Sequence, residues 1–279
     1  MDKKILNLVE QALIEDDYQN DLTTNSLIEN TVIGSGNFIA RSTGVLSGVE
    51  VAEAVFKIAN KKIEFNALRR DGEYVNRGDV IAYVKGPMKD ILRCERVALN
   101  FLQRLSGIAS ITNKYAIELK GINCQIIDTR ETTPLLRELE QLAVVHGGGE
   151  NHRSSLSNNI LIKDNHIATV GNIKDAILKC KKAYPKNTFV DVEVETKDEF
   201  LEALDSACDT IFLDNMTNDK IKEIVELNNG KKKLAVIFNQ NYQKARATAL
   251  TGVDYLAVNL LTHSYKNLDI KLKFYKNIK

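Results

Sequence analysis

The apolar residues along this 279-residue chain follow different periods in its first and later parts. Near the start, four apolar residues recur at helical spacing and predict an amphipathic helix: Leu6, Val9, Leu13 and Ile14. Residues 31–85 then carry short β-like runs around one helical stretch at 49–58, which predicts a small α+β unit. A long helical pattern follows from Met88 to about Leu119, and we expect an interruption near Gly107.

The later part of the chain alternates between apolar runs and helix-like segments. The β-branched, apolar runs lie at 125–127, 160–162, 189–194, 210–213, 234–238 and 255–258. Continuous apolar strands separated by helices are typical of a parallel sheet that is buried on both faces. Because an open sheet would need protected edges, we expect these strands to form an α/β barrel. The boundary between the two parts falls near residue 107, which gives predicted domains at 1–107 and 108–279.

Composition excludes several classes of protein. Hydrophobic residues make up 44% and charged residues 27%, as in ordinary globular proteins. The 38 basic and 37 acidic residues nearly cancel, so we expect no nucleic-acid partner. The cysteines at 94, 124, 180 and 208 form no zinc or disulfide pattern. No apolar run is long enough to span a membrane and the start lacks a signal-peptide core, so we expect a cytoplasmic protein without a membrane partner.

Polar residues follow the predicted strands, at the edge where a parallel barrel collects its chemistry. They include Asp128 to Arg130, Lys163 to Asn165, Glu193 with Glu195, Asp214 with Asn215, and Asn239 to Asn241. A strand-terminal Asp is also a common helix N-cap, and the glycines in GGGENHR at 147–153 also suit a plain flexible loop. Five basic side chains would favour a carboxylate or phosphate if they converge: Arg96, Arg130, His152, Arg153 and Lys163.

Several long motifs, in the same order, resemble the quinolinate phosphoribosyltransferase family, also called nicotinate-nucleotide pyrophosphorylase (carboxylating). The motifs are ARSTGVLSG at 40–48, ERVALNFLQRLSGIAS at 95–110, DTRETTPLLRELE at 128–140, GGGENHR at 147–153, LIKDNHI at 161–167, EVE at 193–195, LDN at 213–215 and TGVDYLAVNLLTHS at 251–264. The resemblance therefore covers nearly the whole chain. It implies an N-terminal α/β sandwich followed by an incomplete parallel α/β barrel.

The resemblance also implies a reaction and a set of roles. The pyridine nitrogen of quinolinate attacks the anomeric carbon of phosphoribosyl pyrophosphate; pyrophosphate leaves with magnesium, and the ring 2-carboxylate is lost as carbon dioxide. The residues implied to hold the two carboxylates are Arg96, Arg130, His152, Arg153 and Lys163. Lys163, Glu193 and Asp214 are implied to be catalytic, and Glu193 and Asp214 to serve the ribose hydroxyls and Mg²⁺. The implied assembly is a homodimer in which Arg96 enters the partner's site.

Four places depart from the family pattern, all on the side of the phosphoribosyl donor. Glu131 and Gln141 stand where the family has lysines, Asn239 to Asn241 replace a Ser-Gly-Gly loop, and Asn259 replaces a glycine. One unit-charge pair about 4 Å apart is worth roughly 4 kcal/mol at an effective dielectric near 20, so Glu131 opposes a polyphosphate. Two functions stay open: the family reaction, or a diverged paralogue that is another small-carboxylate enzyme or a non-catalytic ligand-binding protein.

Overall fold

The computed structural model describes residues 2–185 and 188–275. The chain forms two compact units that are interleaved along the sequence. The first unit combines residues 1–113, 134–148 and 264–279, and the second combines 114–133 and 149–263. The simple division after residue 107 stays a prediction about domains. Among the described residues, no helix has both the length and the apolar character needed to cross a membrane.

The elements of the first part of the chain alternate between helices and short strands. In chain order they are α1 (Lys3–Glu15), α2 (Leu22–Leu27), β1 (Ile33–Ala40), β2 (Gly44–Val45), α3 (Val49–Ala59), β3 (Glu64–Ala67), β4 (Tyr74–Val75), β5 (Val80–Pro87) and α4 (Met88–Glu118).

The later elements contain the regular alternation that the sequence predicts. They are β6 (Gln125–Ile127), α5 (Arg137–His146), β7 (Ile160–Ile162), α6 (Asp164–Val170), α7 (Ile173–Ala183), β8 (Val190–Val194), α8 (Lys197–Leu204), β9 (Thr210–Leu213), α9 (Asn218–Asn228), β10 (Lys233–Ile237), α10 (Tyr242–Ala249), β11 (Tyr255–Ala257), α11 (Leu260–His263) and β12 (Ile270–Phe274).

The first unit contains an antiparallel sheet with the strand order β12-β1-β5-β3. Its core joins the sheet to α3, since the rings of Phe38, Phe56 and Phe65 lie within 5.7 to 5.9 Å of one another. The outer strand β12 comes from the end of the chain, and Leu272 pairs with Phe38. This pairing was not predicted, because its partners are more than 200 residues apart.

The first helix is present and amphipathic, as predicted. The buried residues of α1 are Ile5, Val9 and Leu13, which lie four positions apart, whereas Leu6 and Ile14 are exposed. The N-terminus of α1 is capped by Asp2, whose side chain accepts a hydrogen bond from the Lys4 backbone.

The interruption expected near Gly107 is wrong, because α4 runs without a break from Met88 to Glu118. A Cβ at Gly107 would lie only 2.6 Å from the backbone oxygen of Lys266 and 3.0 Å from the Asn267 Cα. Glycine therefore serves close packing of the last segment of the chain onto α4, and not a break in the helix.

The second unit is built on a six-stranded parallel sheet with the order β6-β11-β10-β9-β8-β7. All six predicted strands are present, with small differences at their ends. Within the described residues the two outer strands, β6 and β7, do not pair with each other, so the predicted incomplete barrel is confirmed. Its inner face carries a buried apolar cluster formed by Ile127, Phe212, Ala235 and Ala257.

Candidate functional site

The alternation of side chains along the strands places polar groups above the apolar cluster of the second unit. Glu193 pairs in register with Phe212, a member of that cluster. Asp214 follows Phe212 by two positions, and Lys163 follows Leu161, which also packs on the cluster, by two positions. Because side chains two apart on a strand share a face, Lys163, Glu193 and Asp214 lie on the inner face at the carboxyl edge of the sheet.

Lys163 and Glu193 form an ion pair at this edge. The Lys163 Nζ lies 3.0 Å from the Glu193 Oε2, and the Glu193 side chain is 12% exposed while that of Lys163 is 46% exposed. The approach is not aligned as a hydrogen bond, so the buried Oε2 has no hydrogen-bond partner among the described residues. Glu193 therefore keeps a strong acceptor available for a ligand hydroxyl or a cation.

His152 is held from its backbone and from its ring. Its backbone N–H donates to the Asp128 Oδ1 at 2.7 Å, and its Nε2 lies 2.8 Å from the Asp191 Oδ2. The imidazole also contacts the ring of Phe212 at 5.0 Å between centroids. The sequence analysis missed Asp191, although it stands two positions before Glu193 in the buried strand VDVEV, and strict alternation would place both carboxylates on one face.

The guanidinium groups of Arg130 and Arg153 lie close together, and little negative charge compensates for their two positive charges. Arg153 is only 9% exposed, and its Nη1 donates to the Asn159 backbone oxygen at 3.2 Å. Burial lowers the pKa of Arg153, the Arg130 charge lowers it further, and Asp191 acts in the opposite direction. The Nε of Arg130 is buried and has no hydrogen-bond partner among the described residues. A buried cation and a half-buried one beside the carboxylate of Asp191 favour an anionic ligand.

Asp214 lies at the end of β9, and its backbone N–H donates to the Val194 oxygen at 3.0 Å. The next residue, Asn215, has a left-handed backbone with φ of 54° and donates its own N–H to the Asp214 Oδ1 at 2.9 Å. The Asn215 side-chain amide lies 3.3 Å from the Glu195 Oε1. This turn fixes the carboxylate of Asp214 at the edge of the sheet.

The described residues contain no cluster of three or more His, Cys, Asp or Glu side chains that could hold a metal ion. Mg²⁺, however, commonly binds through one or two carboxylates together with substrate phosphates. The Oε2 of Glu193, which accepts no hydrogen bond from the described residues, and the carboxylate of Asp214 fit that donor set. The residues therefore fit a magnesium ion that arrives with a phosphorylated ligand, and do not form a closed cage.

Glu131 and Asn259, which the sequence predicts to be departures from the family pattern, contact each other. The Asn259 Nδ2 donates to the Glu131 Oε2 at 3.1 Å, and the His263 Nε2 lies 3.7 Å from the same oxygen. Thr262 fixes the Glu131 backbone by donating its hydroxyl to the Glu131 oxygen at 2.6 Å. The sequence analysis did not anticipate this contact.

The segment Asn239 to Asn241 is exposed, but its backbone is anchored. The hydroxyl of Tyr115 donates to the Gln240 backbone oxygen at 2.7 Å. Burial raises the pKa of Tyr115 to about 12, which keeps this donor protonated. Asn241 is the N-cap residue of α10, and its side chain makes no capping hydrogen bond.

The remaining predicted residues belong to the first unit. Arg96 is an exposed residue of α4, and Gln141 is a residue of α5 that is 6% exposed. The other predicted site residues belong to the second unit. Of these, Arg130, His152 and Arg153 are joined through Asp191, and Lys163 is joined to Glu193.

The fold and this cluster define a class: an α/β-barrel protein with basic and acidic side chains gathered at the carboxyl ends of its strands. The family model described as "Quinolinate phosphoribosyl transferase, N-terminal domain" matches residues 21–106, and the model for the C-terminal domain matches residues 108–273. The chain belongs to the quinolinate phosphoribosyltransferase family.

Individual proteins agree with this assignment. The chain is 36% identical over 270 residues to a probable nicotinate-nucleotide pyrophosphorylase (carboxylating) of Bacillus subtilis strain 168, covering 97% of this chain and 92% of the relative. A chloroplastic nicotinate-nucleotide pyrophosphorylase of Arabidopsis thaliana is 35% identical, over 95% of this chain and 81% of the relative. The crystal structure of NadC from Streptococcus pyogenes matches with a TM-score of 0.92 and 37% identity, covering 96% and 94% of the two chains.

Proposed function

We propose that this chain is a quinolinate phosphoribosyltransferase. It joins quinolinate to phosphoribosyl pyrophosphate and releases nicotinate mononucleotide, pyrophosphate and carbon dioxide. The observation that carries the proposal is the buried guanidinium of Arg153, which the charge of Arg130 disfavours and the charge of Asp191 favours. A planar dicarboxylate supplies the missing negative charge and matches the fork of donors on each guanidinium.

Each retained residue has a role in this reaction. Arg130 and Arg153 hold the carboxylates of quinolinate, and His152, fixed by Asp128 and Asp191, orients the ring. Quinolinate held in this way presents its ring nitrogen to the anomeric carbon of phosphoribosyl pyrophosphate. Fixing the two reacting atoms in position removes much of the entropic barrier to the reaction. The ammonium of Lys163 stabilises the negative charge left on the pyridine ring when the 2-carboxylate departs.

Glu193 and Asp214 serve the second substrate. The Oε2 of Glu193, which pairs with Lys163 but accepts no hydrogen bond from the described residues, accepts one from a ribose hydroxyl, while Asp214 lies at the end of the neighbouring strand. The same two carboxylates would hold Mg²⁺, which supplies positive charge to the departing pyrophosphate when it is bound.

The working assembly in this proposal is a homodimer in which Arg96 of one subunit reaches the quinolinate bound to the other subunit. The family resemblance supports this arrangement, and Arg96 is exposed on α4 and thus free to meet a partner.

The direct test is calorimetric titration with quinolinate and with phosphoribosyl pyrophosphate separately, followed by an assay for nicotinate mononucleotide. We expect saturable quinolinate binding and product formation that requires both ligands. Failure of quinolinate to bind would refute the proposed function at its first step.

A second candidate is a diverged paralogue that binds the pyridine carboxylate but does not use the standard donor. The contact between Glu131 and Asn259 favours it, because both residues differ from the family pattern and hold each other in place. In this case the unmodified chain binds quinolinate yet forms little nicotinate mononucleotide. Combining Glu131→Lys with Asn239→Ser, Gln240→Gly and Asn241→Gly should then raise donor affinity while leaving quinolinate binding unchanged. Robust turnover by the unmodified chain would exclude this candidate.

A further inference from the structure

A cluster formed by Glu131, Asn259 and His263 lies in the second unit, beside the residues proposed to bind quinolinate. It joins the ends of β6 and β11, which are neighbours in the sheet through the pair Ile127 and Ala257. Glu131 directly follows Arg130 in the chain, so the cluster adjoins the proposed carboxylate site. Its members are up to 132 residues apart in sequence, and only the sheet order brings them together.

The contacts hold the Glu131 carboxylate although its side chain is 60% exposed. The side-chain amide of Asn259 donates to the Oε2, and the hydroxyl of Thr262 fixes the backbone of Glu131. An exposed glutamate normally keeps its rotamer freedom, and holding it costs entropy. Asn259 and His263 at the carboxylate and Thr262 at the backbone therefore give Glu131 a defined position.

Glu131 also fixes the orientation of the Asn259 amide. If the amide were flipped, its oxygen would face the carboxylate oxygen 3.1 Å away, which is repulsive, so the NH₂ group must face Glu131. The Oδ1 of Asn259 is consequently the free end of the amide. It is buried and has no hydrogen-bond partner among the described residues.

The groups that remain available in this cluster are acceptors. The buried Asn259 Oδ1 costs free energy until a donor reaches it, and the Glu131 carboxylate can accept further hydrogen bonds. The imidazole of His263 lies 3.7 Å from Glu131 and balances its charge only when protonated. A phosphate, which offers mainly acceptors and negative charge, is the wrong complement for such a surface.

We propose that Glu131 and Asn259 act as one specificity-determining pair that takes a hydrogen-bond-donating hydroxyl or ammonium group of the second ligand and disfavours a phosphate. The inference rests on the second candidate function and names the ligand chemistry of that site. His263 supports the pair by limiting the movement of Glu131.

The experiment compares two probes that differ by one phosphate, nicotinate riboside and nicotinate mononucleotide, by calorimetry on the full chain. The unmodified protein should bind the riboside about tenfold more tightly than the mononucleotide. The double variant Glu131→Lys with Asn259→Gly should reverse this preference. Titration with ethylamine, which has an ammonium but no hydroxyl, and with ribose, which has hydroxyls but no ammonium, then distinguishes the two donors.

Two sets of variants make the result specific. Glu223→Lys reverses an equally exposed carboxylate on α9, which pairs with Lys197, and should leave the preference unchanged. The milder changes Glu131→Gln and Asn259→Ala keep the backbone contacts, and their effects on riboside binding should be non-additive because the two side chains touch.

Several outcomes would overturn the inference. They are tighter binding of the mononucleotide by the unmodified protein, additive effects in the two single variants, a preference that Glu223→Lys changes equally, or binding of neither probe. Titration of the same samples with quinolinate distinguishes a failure of this inference from a failure of the proposed function. Loss of quinolinate binding refutes the function, whereas a wrong probe preference refutes only the specificity pair.

Discussion

Replacing Arg130 with Met should weaken quinolinate binding without destabilising the protein. Arg130 lowers the pKa of the buried Arg153, which means that the two cations repel each other in the free protein. The Nε of Arg130 is also a buried donor without a partner among the described residues. Methionine removes the repulsion and the unpaired donor while keeping a long apolar side chain. If Arg130 served only the structure, its replacement would instead lower the stability of the protein and leave the quinolinate affinity unchanged.

The expected magnitudes follow from this geometry. Truncating one partner of a buried charge pair in an interface costs about 2 to 5 kcal/mol of affinity. That range weakens quinolinate binding by roughly 30-fold to a few thousand-fold. The repulsion between the two cations disfavours the folded state of the free protein, and Arg130→Met removes it. Solvent reduces this for the half-buried Arg130, so we expect the Tm of the variant to stay equal or rise by up to about 3 °C.

The assay pairs calorimetry with thermal unfolding, each with and without quinolinate. The control is Arg246→Met, because Arg246 also lies in the second unit but binds the Glu118 backbone oxygen at 2.9 Å. That variant should lose stability and keep its affinity. Unchanged quinolinate affinity in Arg130→Met, or a large fall in its Tm, would show that Arg130 is a structural residue and that our interpretation of the cation pair is mistaken.

Three further predictions concern other parts of the protein. Mixing an Arg96→Ala chain with a Lys163→Ala chain should restore activity that neither has alone, and an active monomer in sedimentation would contradict the shared site. Asp191→Ala should lower the free energy of unfolding by about 1 to 3 kcal/mol, because the partly buried His152 loses a hydrogen-bond partner 2.8 Å away; an unchanged urea midpoint would contradict this. Tyr115, with its pKa raised to about 12 from 10, contributes stability that is complete below pH 10 and is lost as pH rises through 12. Tyr115→Phe should remove this alkaline loss in unfolding measured across that range, and an identical pH profile in both proteins would exclude Tyr115 as its source.

The local pattern of the sequence was sufficient for much of the second unit. The runs at 125–127, 160–162 and 210–213 coincide with β6, β7 and β9, because a strand buried on both faces must be apolar along its whole length. The polar residues that end these runs could be placed at one edge for the same reason. Parallel strands all point the same way, so Lys163 and Asp214 must leave the sheet on the same side.

The tertiary structure alone decided which of these groups meet. Asp191 and His152 lie 39 residues apart, and Glu131 and Asn259 lie 128 residues apart, so neither pair has a local signal. Strand order and register create both contacts. The same holds for Gly107, whose lack of a side chain suggested a break in a helix but instead admits the backbone of residue 266. Hydrophobic periodicity depends on near neighbours in sequence, whereas close packing and charge pairing depend on segments that folding brings together.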